Sequence, residues 1–125
     1  MWYNKNVEEN KVKVTKQVKE KLKINIEIEK IIISKGLVSH MKKSRHEKMI
    51  KYISEIENII NNPDYIGINP REKGTSLEYL KVFDDNVLLA VKLDIKRNYF
   101  YTASMYDVTE AKLQSMLSSG RIKKY

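Results

Sequence analysis

Three short apolar segments between Ser76 and Tyr106 constrain the fold of this chain most strongly. They run over Leu77–Phe83, Val87–Leu93 and Tyr99–Met105, and clusters that contain Asp and Asn separate them. Runs of this length that are rich in β-branched and aromatic residues and are bounded by Asp/Asn turns are typical of consecutive antiparallel strands. The stretch therefore predicts a three-stranded meander.

The N-terminal part has a weaker pattern. Residues 4–24 place Val and Leu side chains at helical spacing on one thin stripe, although residues 11–14 would alternate equally well as a strand. Asn25–Ser34 follows as a predicted strand. We divide the chain into an N-terminal arm or helix over residues 1–25 and a single domain over residues 26–125, and we expect the arm to pack on the domain or on another copy of the chain.

Two helices are predicted on either side of a break at Ser44. The first is short and ends near Lys43. The second begins with a capping box of Ser44 and Glu47, and Asn61-Asn62-Pro63 ends it. Its buried face is predicted to carry Met49, Tyr52, Ile53, Ile56, Ile59 and Ile60.

The remaining segments flank the meander. Pro63–Thr75 is predicted to be an ordered loop, and loops of this length in compact domains are often functional. After the meander, Asp107 and Glu110 form a second capping box and open a helix that Gly120 ends. Its inward residues are predicted to be Ala111, Leu113, Met116 and Leu117. These elements predict an α+β fold, with N-terminal helices packed on a small antiparallel β-sheet (the meander) and a C-terminal helix.

Length and residue usage exclude several classes of protein. The chain of 125 residues has room for one domain with a real core, and the absence of cysteine excludes disulfides and thiolate metal sites. The longest apolar run, Val87–Val91, is far shorter than the ~20 residues of a membrane span, and the first residues lack the apolar centre of a signal peptide. We expect a cytoplasmic protein that does not enter a membrane.

Charge gives the clearest compositional indication of a partner. The 24 Lys and Arg residues exceed the 16 Asp and Glu residues, and the net charge is +8. Such an excess favours nucleic acid or another anionic surface. Basic residues concentrate in residues 1–24, which we interpret as a solvated surface, and in residues 35–51, which are a candidate phosphate-binding segment or another solvated surface.

His40 and His46 are the two histidines of the chain. On one continuous helix they would point about 240° apart, at ~100° per residue, so a shared site requires the break at Ser44. With that break, the helix dipole favours a protonated His40 at one helix end and a neutral His46 at the next helix start. Such a pair suits metal-independent RNA cleavage, in which the 2′-hydroxyl loses a proton and the leaving 5′-oxygen gains one.

Two alternatives apply to this pair. Histidines in a lysine-rich helix are often solvated surface residues. A metal site is not predicted, because neither His-x-x-x-His nor Glu-x-x-x-His spacing occurs near them and carboxylates are sparse there. We therefore expect no metal and no other cofactor.

Several ordered segments resemble the phage-associated branch of the barnase–EndoU–colicin–RelE-like nuclease superfamily. They are the run His40–His46, the helix after it, and Asn62-Pro63-Asp64-Tyr65-Ile66-Gly67. The meander adds Leu77-Glu78-Tyr79, Lys81, Leu88-Leu89-Ala90-Val91-Lys92-Leu93 and Ala103-Ser104-Met105-Tyr106 in the same order. The similarity covers roughly Ile28 to the C terminus. In this superfamily the second histidine is commonly followed by proline, whereas Glu47 follows His46 here.

The resemblance implies a metal-independent ribonuclease, and many members of the superfamily act as toxins. It implies that His40 or His46 supplies acid–base chemistry, that Lys81, Lys92 and Ser104 line one sheet face, and that Tyr106 orients the substrate. We take His40, His46, Lys92 and Ser104 as the predicted catalytic residues. The predicted substrate-binding residues are Lys42, Lys43, Arg45, Lys81, Thr102, Tyr106 and Arg121.

Each of the downstream residues also has a structural alternative. Lys81 and Lys92 are typical of exposed strand lysines that protect a sheet from edge pairing. Ser104 and Thr102 are typical of hydroxyls bonded to backbone. Arg121 would complement the end of the last helix.

Three functions compete on this sequence. The first is a metal-independent RNA endonuclease, toxin- or phage-associated, with RNA as partner, tRNA as one candidate substrate, and an inhibitor protein as a further candidate partner. The second is a non-catalytic nucleic-acid-binding module of a mobile element, whose affinity would depend on salt. The third is a phage structural or partner-binding protein, with Trp2, Tyr3 and the Val7–Leu22 stripe as its contact surface.

Overall fold

A computed structural model describes residues 12–43 and 47–125 of the chain. The strands in these ranges are β1 (Ile31–Ile32), β2 (Tyr65–Ile68), β3 (Ser76–Val82), β4 (Asn86–Asp94), β5 (Tyr99–Val108) and β6 (Ile122–Lys124). They form one sheet with the order β1-β5-β4-β3-β2-β6. Neighbouring strands from β2 to β6 pair antiparallel, whereas β1 pairs parallel with β5, so the sheet is mixed rather than purely antiparallel.

Helices flank the four central strands β2–β5 along the chain, and β1 and β6 lie among or after the helices. They are α1 (Lys16–Leu22), α2 (Leu37–Lys43), a 3₁₀-helix (Glu47–Glu55), α3 (Ile56–Asn61) and α4 (Glu110–Ser119). None of the helices in the described ranges is long and apolar enough to cross a membrane. The α+β prediction is confirmed.

The predicted meander is confirmed as β3, β4 and β5. Phe83 N–H donates to the carbonyl oxygen of Asp85 at 2.8 Å in the first turn. In the second turn Asn98 has a φ of 63°, a left-handed conformation that Asn tolerates better than most residues. Local turn chemistry therefore sets the register of the central strands.

Strand alternation divides the central side chains between two faces. We call the face that carries Leu77, Tyr79, Leu89, Val91 and Met105 the core face, because these side chains lie in one buried cluster with residues of the N-terminal segment and of every helix except α4. The other face, which we call the α4 face, contributes Leu80, Leu88 and Ala90 to a smaller cluster with Leu113 and Met116 of α4. The two faces have separate apolar clusters.

A β-bulge changes which residues of β5 share a face. Ala90 of β4 lies opposite Ser104, but the next residue, Val91, lies opposite Thr102, so Ala103 is the extra residue. Ser104 consequently lies on the α4 face and Thr102 on the core face. Simple alternation would have placed both hydroxyls on the same side.

The N-terminal half differs from its predicted pattern. In the described part of residues 4–24, only Lys16–Leu22 is helical, and Lys13 forms an isolated antiparallel bridge with Lys30. Val12, Val14 and Val18 are buried in the main core, so this segment packs on the domain. The strand predicted over 25–34 is limited to Ile31–Ile32.

The helix predicted to end at Asn61 is present, but its first part, Glu47–Glu55, is a 3₁₀-helix. Of the apolar residues predicted on its buried face, Ile53 is half-buried and the others are buried. Trp2, Tyr3, Val7, Ser44, Arg45 and His46 lie outside the described residues.

Two strands and one helix cap were mispredicted downstream. The predicted loop Pro63–Thr75 contains β2, and the basic tail after Gly120, residues 121–125, contains β6, which pairs with β2. Thr109 rather than Asp107 caps α4, since its Oγ1 accepts from the Lys112 N–H at 3.1 Å. Asp107 instead pairs with Lys48 at 2.8 Å. The buried residues of α4 are Leu113 and Met116, while Ala111 is exposed.

Candidate active site on the α4 face

A buried ion pair lies at the centre of the α4 face. Glu78 stands in the middle of β3, and its side chain is 0% exposed. Arg121 donates from Nε to one carboxylate oxygen at 2.8 Å and from Nη2 to the other at 2.7 Å. The hydrogen bond to Glu78 raises the pKa of Arg121. This bidentate geometry fixes the plane of the guanidinium on a rigid strand.

Gly67 allows Arg121 to reach Glu78. In β2 it lies opposite Glu78 on one side and Ile122 of β6 on the other. A Cβ at this position would overlap the Arg121 carbonyl oxygen, a backbone atom that cannot move without a shift of β6. The missing side chain lets the start of β6 approach the sheet, directly after Gly120 ends α4 with a φ of 80°.

Tyr106 and Ser104 border this pair from β5. Ser104 lies opposite Ala90, which lies opposite Glu78, and Tyr106 lies opposite Leu88. Burial raises the pKa of the half-buried Tyr106, and the charge of Glu78 raises it further while Arg121 opposes this. The phenol therefore stays protonated at neutral pH, where it acts as a hydrogen-bond donor rather than as a base.

Lys92 extends the polar part of the face. It lies opposite Ser76 of β3, and its Nζ is 2.9 Å from an Oε1 of Glu72 in the loop between β2 and β3. The Ser76 hydroxyl is buried and has no hydrogen-bond partner among the described residues. Two cations and several hydroxyls thus share one side of the sheet.

This arrangement suits an oxyanion or phosphate ligand. A guanidinium has five N–H donors, and Glu78 uses only part of them. Arginine and lysine are the side chains that stabilise charge on a transferring or cleaved phosphate. Within residues 12–43 and 47–125, no three His, Cys, Asp or Glu side chains are grouped so that they could hold a metal ion.

Four of the predicted residues meet on the α4 face: Lys92, Ser104, Tyr106 and Arg121. The predicted position of Lys81 beside them is wrong, because it lies opposite Val87 on the core face. Its Nζ donates to the Asn62 carbonyl oxygen at 2.7 Å, at the end of α3. Thr102 is buried on the core face, where its Oγ1 accepts from the Ser34 N–H at 2.8 Å. Both contacts are structural.

The histidine segment is separated from this set in the described residues. His40, Lys42 and Lys43 are exposed on α2, whose Leu37 and Met41 pack into the core-face cluster. The structure therefore does not bring His40 together with Lys92 and Ser104. Arg45 and His46 lie outside the described residues, and their roles stay predictions.

Sequence reasoning missed Glu78 and Gly67. The available signal for Glu78 was a carboxylate between Leu77 and Tyr79, in a strand whose neighbours are apolar. A charge at such a position is buried only with a partner. The partner is 43 positions away in the sequence, in a tail that had no strand pattern.

Comparison with protein-family models places this chain in a known family. The family model described as phage-Barnase-EndoU-ColicinE5/D-RelE like nuclease3 matches residues 9–115. The match begins earlier than the predicted start of similarity near Ile28, so most of the N-terminal segment belongs to the matched region. Curated proteins and solved structures gave no match. Since the matched region is most of the chain and contains β1 to β5, this chain belongs to the phage-Barnase-EndoU-ColicinE5/D-RelE like nuclease3 family.

Proposed function

We propose that this chain is a metal-independent ribonuclease that cleaves RNA by attack of a 2′-hydroxyl on the adjacent phosphate. The observation that carries the proposal is the guanidinium of Arg121, held by Glu78 at 2.8 and 2.7 Å on the face that also presents Lys92, Ser104 and Tyr106. Rigid strands carry most of these groups, which is what precise positioning of a phosphate needs. The membership in a nuclease family supports the reaction class.

The α4-face residues have distinct roles in this proposal. Arg121 and Lys92 neutralise the charge that builds up on the pentacovalent phosphate. Glu78 is a positioning residue that keeps the guanidinium in place. Ser104 and Tyr106 donate hydrogen bonds that orient the RNA.

Acid–base chemistry in this proposal comes from the histidine pair. One imidazole takes the proton of the 2′-hydroxyl, and the other donates a proton to the leaving 5′-oxygen. His40 lies on a helix that packs on the other face. The described residues therefore do not place the His40 imidazole beside a phosphate bound to Arg121, and single variants of His40 and His46 test whether either ring takes part in cleavage.

The direct test is cleavage of tRNA and bulk RNA by the purified protein in the presence of EDTA. Wild type is expected to cleave and to leave a cyclic phosphate end. The His40→Ala, His46→Ala double variant is expected to lose activity by about 10²–10⁴-fold. Arg121→Lys keeps the charge but loses the bidentate contact, and we expect a loss of about 100-fold. Arg97→Lys, at an exposed position, is the matched control and should cleave like wild type.

Three results would contradict the proposal. They are no cleavage by wild type, cleavage that requires an added divalent metal, and equal cleavage by wild type and the histidine double variant. RNA binding that survives in the double variant without any wild-type cleavage would instead support a non-catalytic nucleic-acid-binding module.

A further inference from the structure

The loop between β2 and β3 is hydrogen-bonded to the sheet at its ends, and its tip is exposed. Asn69 N–H donates to the Ser76 carbonyl oxygen at 2.9 Å, and Leu93 N–H donates to the Thr75 carbonyl oxygen at 3.0 Å. The tip, residues 71–74, is exposed. A side-chain contact ties the tip to the sheet, namely the ion pair between Glu72 and Lys92.

This ion pair places a carboxylate on the α4 face. Glu72 and Lys92 approach to 2.9 Å with side chains 39% and 38% exposed. The neighbour of Lys92 across the strands is Ser76, whose buried hydroxyl lacks a hydrogen-bond partner among the described residues. The negative charge of Glu72 also contributes to the raised pKa of Tyr106, so its field reaches the groups proposed to bind RNA.

We propose that Lys92 and Ser76 form a phosphate subsite for RNA, and that Glu72 occupies the Lys92 side of this subsite in the free protein as an internal competitor. The proposal rests on the proposed function, because it takes an RNA phosphate as the ligand. RNA displaces the carboxylate, Lys92 exchanges one anion for another, and the Ser76 hydroxyl gains an acceptor. The loop tip then moves away from the sheet while its tied ends stay in place.

The charges of the competing groups determine how much RNA binding tightens when the Glu72 charge is removed. A carboxylate and a phosphate compete for the same ammonium group, which acts as a compact point charge with rotatable donors. Water solvates both partners of a half-exposed ion pair, so the competitor is easy to displace. Removal of the Glu72 charge should therefore tighten RNA binding only by about 2- to 5-fold.

The test is binding of a 2′-O-methyl RNA oligonucleotide, which cannot be cleaved by 2′-hydroxyl attack, and of inorganic pyrophosphate. Glu72→Gln removes the charge with little change of shape. Glu27→Gln removes the same charge from an exposed position in the segment before β1 and is the matched control. We expect Glu72→Gln to bind both probes about 2- to 5-fold more tightly than wild type and than Glu27→Gln. In a Lys92→Gln background the Glu72→Gln gain should disappear, since coupled residues give non-additive effects.

Several outcomes would overturn this proposal. Equal affinities of Glu72→Gln and Glu27→Gln would reduce the effect to net charge, and weaker binding by Glu72→Gln would mean that Glu72 positions Lys92 for RNA. A gain that persists without Lys92 would place the competition elsewhere. If wild type, Glu72→Gln and Glu27→Gln all cleave RNA but Glu72→Gln binds no tighter, only this proposal fails. If none cleaves RNA while Glu72→Gln still gains affinity for pyrophosphate, only the proposed ribonuclease function fails.

Discussion

The two faces of the sheet use the same strands for opposite purposes. On the core face, Leu77, Leu89 and Met105 are fully buried among apolar side chains. On the α4 face, their sequence neighbours Glu78 and Ser104 belong to a polar set, and only part of the face is covered by the ten-residue helix α4. Because successive strand residues point to opposite faces, adjacent positions such as Ser104 and Met105 contribute to different faces. Substitutions at neighbouring residues can therefore test each role independently.

The largest stability effect is expected from Arg121→Ala. This change leaves the fully buried carboxylate of Glu78 without its partner, which costs about 3–5 kcal/mol when a buried pair is broken. Urea unfolding would measure the loss. Arg97→Ala is the matched control, because Arg97 is 72% exposed, 3.7 Å from Asp94, and should change stability by less than about 1 kcal/mol. Equal effects of the two variants would mean that the α4 face does not depend on its buried pair.

A neighbouring pair on β5 tests the two faces most directly. Met105→Ala should lower the free energy of unfolding by about 2–5 kcal/mol, because it empties a fully buried position on the core face. Ser104→Ala should stay within about 0.5 kcal/mol of wild type in urea unfolding and should lower RNA cleavage. If Ser104→Ala is destabilised, or if it cleaves RNA like wild type, Ser104 does not serve RNA cleavage separately from the stability of the core face.

Local patterns predicted the parts of the fold that are specified locally. The three long strands and α4 could be predicted, because apolar periodicity and turn residues act within a few positions. β2 and β6 are short, and each is stabilised by pairing with a distant segment, Tyr65 with Lys124 for example. Nothing within either segment distinguishes it from a loop.

The candidate site was predicted only in part for related reasons. Lys92, Ser104 and Tyr106 were named through the family resemblance, and Arg121 was named as a predicted substrate-binding residue. The face of Thr102 depends on a bulge at Ala103, which the alternation pattern does not show. Glu78 was missed because its role comes from a partner brought close by tertiary structure.

A smaller effect is expected at Gly67, which brings β6 to the α4 face. Gly67→Ala forces the new Cβ against the Arg121 carbonyl oxygen, so β6 must shift, and we expect a loss of about 1–3 kcal/mol in thermal or urea unfolding. Gly74→Ala is the matched control, because an added Cβ there meets nothing within 4 Å. If both alanine variants are as stable as wild type, close approach at Gly67 is not what holds Arg121 in place.

The smallest effect concerns the hydroxyl of Tyr79, a polar group among the apolar side chains of the core face. The Tyr79 hydroxyl is buried and has no hydrogen-bond partner among the described residues, so Tyr79→Phe should stabilise the protein by about 1 kcal/mol. Tyr52→Phe is the contrasting variant, because the Tyr52 hydroxyl donates to Asp85 at 2.8 Å and its loss should destabilise by about 1 kcal/mol. Urea unfolding at neutral pH would distinguish the two.

Tyr79 also makes the stability difference between wild type and Tyr79→Phe depend on pH. Burial raises the pKa of Tyr79 well above its ordinary value, so the folded protein keeps the proton that the unfolded chain releases above about pH 10. The stability from this protonated phenol is fully present below that pH and is lost as the pH rises towards the folded-state pKa. Tyr79→Phe lacks this loss, so its advantage over wild type should grow between neutral pH and about pH 11. A constant difference in unfolding free energy between the two proteins across that range would mean that water reaches the Tyr79 hydroxyl in the folded state.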